Sequence, residues 1–167
     1  MVLVPQVVDA VGPNVPVLAA GGIADGRQMA AALALGAQGV WTGSMWLLTT
    51  EADMSPEVTE NLLAASSRDF VRARFMTGKP ARQLRTKWIE AWESPGAPEP
   101  LPMPLQGLLY GEAAARFSRV HSKEFGGYPA GQIIGSLDKV RPAKDMVLDM
   151  VEGWIETTEK LSSFLAD

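Results

Sequence analysis

The chain has 167 residues, of which 47% are hydrophobic and 20% are charged, and its net charge of −4 contains no block of like charges. Such a chain can fold around a core of its own, but it lacks the basic surface that nucleic acids or anionic membranes require. The absence of cysteine excludes disulfides and thiolate chemistry, and a single histidine leaves little for a metal site.

The apolar runs of the sequence are short. None approaches the roughly 18 residues that a membrane span needs. The first residues also lack the basic start of a signal peptide. We therefore expect a cytoplasmic protein that binds neither membranes nor nucleic acid.

The beginning of the chain predicts a helix followed by a strand. From Val4 to Val11 the apolar residues recur at intervals of three and four, which is typical of a helix, and Gly12 ends it. Val15 to Ala20 is a continuous apolar run that stops at Gly21. A run of this length bounded by glycine indicates a strand, and we expect it to be buried on both faces.

A second helix and a second strand follow. Asp25 can cap the helix, and Gly36 can end it in a left-handed conformation. Gly39 to Thr42 predicts the second strand. Because a helix connects the two strands, they should lie parallel.

The remainder of the chain predicts helices joined by loops. In order, its elements are a short turn from Ser44 to Leu48, a helix that starts at Ser55 and Pro56, a proline-rich connector at 94–104, a helix from Glu112 to Lys123, a glycine-rich loop at 125–135 with a helix beginning near its end, and a helix from Pro142 to Leu165. The last helix carries an apolar stripe that includes Val147, Met150, Val151 and Leu161, and we expect this stripe to be buried.

Two glycine signals stand where the two strands end. Gly21 and Gly22 follow the first strand, and Gly43 and Ser44 follow the second. At the carboxyl ends of parallel strands, backbone N–H groups and the start of a helix favour an anion, and a side chain would keep a phosphate away. Two such ends and a short extra helix match the phosphate clamp of a (β/α)₈ barrel. The alternative is that these glycines only end strands and allow close helix packing.

Four stretches of the sequence resemble a known family. "VPVLAAGGIADGRQMAAALALGAQGVWTGSMWL" contains both glycine signals, and "TTEADMSPEVTENLLAASSRD", "FMTGKPARQLRTKW" and "YPAGQIIGSLDKVRPAKDMV" follow it in that order. Together they resemble the C-terminal part of the nitronate monooxygenases, formerly called 2-nitropropane dioxygenases, which are FMN-dependent barrel enzymes. The resemblance implies an α/β fold. Residues 1–67 would be part of a TIM (β/α)₈ barrel, with its last two strands and their helices, and residues 68–167 a mainly helical, proline-rich extension packed on it.

The resemblance also implies which residues bind the cofactor. Gly21 and Gly22 would donate backbone N–H groups to the phosphate of FMN, and Gly43 and Ser44 would complete the clamp. Gln132, in the late glycine-rich loop, matches a position that approaches the flavin in the family. A loop-bracing role for this glutamine stays open.

The catalytic base of the family has no counterpart in the sequence. The resemblance implies a histidine in a Gly-Gly-His motif just ahead of the helix that opens this chain, and the motif does not occur. We expect the single histidine, His121, to be a partly exposed helix residue without a catalytic role. The sequence thus predicts no catalytic residue and no activity for the chain alone. The rest of the barrel would come from a missing N-terminal half or from self-association.

Three functions are open at this point. The first is the FMN-phosphate-binding part of an enzyme that oxidises a small-molecule substrate, an alkyl nitronate, with dioxygen. The second is an NAD(P)H-dependent flavin oxidoreductase or enoyl-ACP reductase of the same barrel type. The third is a non-catalytic binding module that keeps the clamp and uses the last helix for a partner.

Overall fold

A computed structural model of the chain describes residues 1–125 and 128–165. The chain forms two compact units: the first comprises Met1–Ala52 and Val140–Asp167, and the second comprises Asp53–Lys139. The first unit thus joins the end of the chain to its beginning. The predicted division is a different one: it assigns residues 1–67 to a barrel and residues 68–167 to an extension packed on that barrel. It stays a prediction.

The chain contains both helices and strands. In chain order they are α1 (Leu3–Val11), β1 (Leu18–Ala20), α2 (Gly26–Ala34), β2 (Gly39–Trp41), α3 (Pro56–Ala64), β3 (Phe70–Ala73), β4 (Ala81–Leu84), α4 (Lys87–Glu93), α5 (Leu105–Arg119) and α6 (Ala143–Ser163). Short 3₁₀ turns occupy Ser44–Leu48, Ser67–Asp69 and Gln132–Ser136. Within the described residues, no helix is long and apolar enough to cross a membrane, and no group of three metal-ligating side chains comes together.

The two strands of the first unit pair in parallel, which confirms the prediction. The paired residues are Leu18 with Gly39, Ala19 with Val40, and Ala20 with Trp41. Because successive side chains of a strand point to opposite faces, Leu18, Ala20 and Trp41 share one face of the pair. The carboxyl ends of the two strands lie at the same edge of the sheet. Gly21 and Gly22 follow one of these ends, and Gly43 and Ser44 follow the other.

Only one face of this strand pair is buried. Ala19 is 5% exposed and lies in a cluster with Ala32 of α2, against which Val4 of α1 packs. On the opposite face Leu18 is 50% exposed and Trp41 is 70% exposed. The prediction that the strand is buried on both faces is therefore wrong for the described residues, because α1 and α2 pack on the same side.

The predicted helix ends of the first unit are confirmed. Asp25 caps α2 through a capping box: its carboxylate accepts the Gln28 N–H at 2.9 Å, and the Gln28 side chain accepts the Asp25 N–H at 3.2 Å. Gly12 follows α1 with a φ of 73°, and Gly36 follows α2 with a φ of 95°. Glycine adopts such positive φ angles without the steric penalty that a side chain would bring.

Helix α6 packs on α2 through a very close backbone contact. A Cβ at Gly26 would lie 2.2 Å from the Trp154 backbone nitrogen, so only glycine fits there. Met146 and Met150 are buried in the same helix, whereas Val147 and Val151 are exposed. The prediction of a wholly buried stripe is therefore wrong. Helix α6 packs with the side that carries Met146, Met150 and the glycine contact to α2, and its other apolar residues lie outside this contact.

The second unit contains an antiparallel hairpin that the sequence did not predict. Strands β3 and β4 pair from Phe70 with Leu84 to Ala73 with Ala81. The Arg82 guanidinium donates to the Phe70 carbonyl at 2.9 Å and braces the hairpin. The hydrophobic pattern missed it because Arg72 and Arg82 lie opposite each other within the two short strands.

The helix predicted from Glu112 to Lys123 is confirmed over residues 112–119, but its bounds are wrong. Helix α5 starts directly after Pro104 and ends at Arg119. The sequence analysis assigned residues 105–111, between the proline-rich connector and the predicted helix, to no element. That connector, residues 94–104, has neither helix nor strand, as predicted.

An aromatic cluster fills the second unit. The Phe75 ring meets Tyr110 edge to face with ring centroids 5.3 Å apart, and Phe117 meets Trp88 in the same way at 4.9 Å. Such pairs add to the stability that burial provides. The Gln106 side chain, fully buried, donates to the Phe75 carbonyl and ties α5 to the hairpin.

Candidate phosphate-binding site

Gly21 and Gly22 form the turn that follows β1. Their φ angles are 97° and 72°, which side-chain-bearing residues rarely adopt. A Cβ added to either glycine would meet no atom within 4 Å. The backbone at the end of β1 thus has open space in front of it, and both residues must be glycine for conformational reasons.

Gly43 follows the neighbouring strand. Ala20 and Trp41 are the last paired residues of the two strands, and Gly43 comes two residues after Trp41. A Cβ at Gly43 would also meet nothing within 4 Å. The 3₁₀ turn that begins at Ser44 follows at once, so the second strand end leads directly into a helical turn.

The backbone amides at these strand ends are available as donors. Among the described residues, the N–H groups of Gly22 and Gly43 have no hydrogen-bond acceptor. The Gly43 carbonyl accepts the Trp46 N–H at 3.1 Å, and the Thr42 carbonyl accepts the Trp46 indole N–H at 3.0 Å. These two bonds fix the shape of the turn. Backbone N–H groups at the ends of parallel strands are a common means of binding an anion.

The start of α2 does not take part in this candidate site. The sequence argument expected the helix after the first glycine pair to favour an anion by its N-terminus. Instead the Asp25 carboxylate accepts the Gln28 N–H, and the Gln28 side chain accepts the Ala24 N–H at 2.7 Å. A carboxylate of the chain itself therefore holds this helix N-terminus, and an anion would depend on the glycine turn and on the 3₁₀ turn at Ser44.

Gln132 lies in the second unit, at the start of the 3₁₀ turn of the late loop. Its side-chain amide donates to the Ser67 carbonyl at 3.2 Å. The bracing role that the sequence left open is therefore present, while an approach to a flavin stays a prediction. Residues 126 and 127 of the predicted glycine-rich loop lie outside the described residues.

His121 contacts a carboxylate of the second unit. Its Nδ1 lies 3.1 Å from Oε1 of Glu57, and its side chain is 70% exposed. The backbone N–H of Glu57 itself, the Ser55 side chain and, to a smaller extent, His121 hold the pKa of Glu57 below its ordinary value. The predicted exposure is confirmed, but the helix placement is wrong: α5 ends at Arg119, and His121 follows in a left-handed conformation with φ of 50°.

The chain matches a known family over most of its length. The family model "Nitronate monooxygenase" matches residues 1–153. A Mycobacterium tuberculosis protein named as a monooxygenase is 54% identical over 99% of this chain, and a Bacillus subtilis protein named as a nitronate monooxygenase is 36% identical over 88% of it.

Solved structures share the fold. FabK from Thermotoga maritima superposes with a TM-score of 0.80 at 36% identity and covers 98% of this chain and 51% of its own. A nitroalkane oxidase from Streptomyces ansochromogenes superposes with a TM-score of 0.82 at 28% identity and covers 95% of this chain and 44% of its own. The chain spans less than half of the two relatives above, 45% and 42% of their lengths.

Proposed function

The chain belongs to the nitronate monooxygenase family, and on that premise we propose that it is the FMN-phosphate-binding part of an enzyme that oxidises alkyl nitronates with dioxygen. Flavin dependence is general in this family and its structural neighbours. The choice of FMN, the nitronate substrate and the roles of individual residues are parts of the proposal.

The glycine turns carry the proposal. They offer what a phosphate monoester needs: unused N–H groups at Gly22 and Gly43, with no atom within 4 Å of where a side chain would start. Charge-assisted hydrogen bonds from such amides hold an anion without a cationic side chain. Ser44, at the start of the adjoining 3₁₀ turn, would add its hydroxyl to the clamp. Gln132 is a further candidate to approach the flavin.

The strand pair fits the last two strands of a TIM barrel. β1, α2 and β2 form a parallel strand–helix–strand unit, and the face opposite α1 and α2 is open. We propose that further strands of the whole protein, or of a second copy, complete the barrel around this face. A closed barrel needs all its strands, so turnover is expected only with that part present.

In this proposal, the residues of this chain bind the cofactor and orient it. Bound FMN would accept electrons from the nitronate and pass them to dioxygen. The amides of Gly22 and Gly43 hold the phosphate and so fix the position of the cofactor. An alkyl nitronate has already lost the proton of its α-carbon. A base for a neutral nitroalkane would belong to the remainder of the barrel, since the single histidine of the chain contacts Glu57 on the surface of the second unit.

A matched pair of variants tests the clamp. Gly22→Val places a side chain in front of the amides and should weaken FMN by about 2 kcal/mol or more, measured by flavin fluorescence titration. Gly12→Val is the control, because Gly12 has φ of 73° against 72° for Gly22 and equally open space, but it follows α1 and its N–H is bonded to Val8. Equal FMN affinity of the two variants would contradict the clamp.

A second candidate is an NAD(P)H-dependent flavin oxidoreductase or enoyl-ACP reductase. The likeness to FabK, at 36% identity over nearly the whole chain, supports this second candidate. The two candidates differ in what reduces the flavin. Anaerobic bleaching of the flavin absorbance by NADH or NADPH supports the second candidate, and bleaching by propyl-2-nitronate alone supports the first.

A further inference from the structure

Trp41 stands exposed beside the candidate clamp. It is the last residue of β2, lies on the open face of the β1–β2 pair and is 70% exposed. An indole normally buries much of its roughly 150–250 Å² of surface. The strands that complete the barrel would cover part of this face. Trp41, however, lies at the carboxyl end of β2 and two residues from Gly43, which is the end of a barrel strand where ligands bind.

The side chains on this face differ between its two ends. At the end away from the glycine turns, Leu18 lies close to Gly39, since a Cβ at Gly39 would come within 2.9 Å of the Leu18 side chain. At the end next to the glycine turns, Trp41 pairs with Ala20, whose side chain ends at Cβ. The indole of Trp41 therefore has only a small side chain beside it on the neighbouring strand.

The spacing along β2 places Trp41 at a suitable distance from the candidate clamp. A strand rises about 3.3 Å per residue, so the Trp41 position is about 7 Å back along β2 from Gly43. The ribityl chain of FMN can span such a distance. A flavin whose phosphate is held at the strand ends would place its ring over the face on which Trp41 stands.

We propose that Trp41 stacks against the isoalloxazine ring of FMN and forms one wall of the ring site. The inference rests on the proposed function, because it takes the phosphate position from the glycine clamp. An electron-rich indole and an electron-poor planar ring attract each other in offset or edge-to-face contact. An indole in such contact also quenches flavin fluorescence by electron donation to the excited ring.

The test compares two ligands and three variants of the flavin-loaded protein. Riboflavin carries the same ring as FMN but no phosphate. Trp41→Leu removes the aromatic ring and keeps an apolar side chain. Trp41→Phe keeps a smaller aromatic ring, and it provides a second measurement if Trp41→Leu does not fold. Trp154→Phe is the control, because Trp154 belongs to α6, which packs on α2 on the covered side of the sheet.

Trp41→Leu should raise the fluorescence of bound FMN severalfold. It should weaken FMN and riboflavin by the same factor, about fivefold, because the lost contact is to the ring. Trp41→Phe should weaken both ligands less, and Trp154→Phe should change neither quantity. Gly22→Val, in contrast, should weaken FMN and leave riboflavin unchanged.

The outcomes separate the two proposals. If the parent protein binds FMN and Trp41→Leu changes neither fluorescence nor affinity, Trp41 does not contact the ring and the inference is overturned while the clamp stands. If the parent protein does not bind FMN, the proposed function fails and the inference fails with it.

Discussion

Replacement of Gly26 by alanine should strongly destabilise the first unit. The new Cβ would lie 2.2 Å from the Trp154 nitrogen and 2.3 Å from the Gly153 carbonyl carbon. Both are backbone atoms of α6, so no side chain can rotate away, and the helix itself must move. Overpacking costs about 1–3 kcal/mol, and a clash with backbone belongs at the upper end, about 3 kcal/mol.

Gly153→Ala provides the matched control on the facing helix. Its Cβ would meet the Gly26 Cα at 3.4 Å, which is ordinary contact. Alanine inside a helix is favoured over glycine by about 1 kcal/mol, so this variant should be as stable as the parent or more stable.

Thermal unfolding followed by circular dichroism measures both variants. For a chain of this size, a loss of about 3 kcal/mol lowers the Tm by about 6–12 °C. An unchanged Tm for Gly26→Ala, or an equal loss in Gly153→Ala, would refute the close contact between α2 and α6.

Three further predictions concern single side chains. Asp25→Ala removes the capping box of α2 and should cost about 1 kcal/mol of unfolding free energy in urea titrations, whereas Asp25→Asn should keep most of it; equal losses would contradict the cap. The Ser66 backbone N–H, at 2.7 Å, and the Ser66 hydroxyl lower the pKa of Asp69 below its ordinary value of 3.8. The stability from this carboxylate is therefore complete above that value and is lost as the pH falls through the lowered pKa, so Asp69→Asn should be less stable than the parent at pH 7 but equal to it at low pH. A stability difference that persists in acid would show that charge is not the cause. His121→Ala should leave turnover of the complete enzyme within about threefold of the parent, and a loss of several hundredfold would identify a general base after all.

The first unit was predictable because its signals are local. The spacing of apolar residues in α1 and α6, the Asp25 cap and the glycine terminators each act within a few residues, and the structure confirms them. The open face of the strand pair was not predictable in the same way. An apolar run such as 15–20 does not reveal how many layers cover it.

The second unit was predicted less well because its order depends on distant contacts. β3 and β4 are four residues each, with arginines facing each other. The buried Phe75, in the loop between them, belongs to an aromatic cluster whose members lie far apart in the sequence. The position of the clamp glycines could be found from the sequence, since a strand end followed by glycine has a fixed geometry. The hydrogen bond of Gln132 to Ser67 could not, because it joins loops 65 residues apart.

The central claim is that the amides of Gly22 and Gly43 hold the phosphate of FMN. Amide chemical shifts of the ¹⁵N-labelled protein, recorded with FMN and with riboflavin, test it most directly. The account predicts that FMN moves the Gly22 and Gly43 amide protons strongly downfield, as expected for new hydrogen bonds to an anion, and that riboflavin does not. Identical shifts with both ligands, or FMN-specific shifts that avoid these two glycines, would contradict the claim.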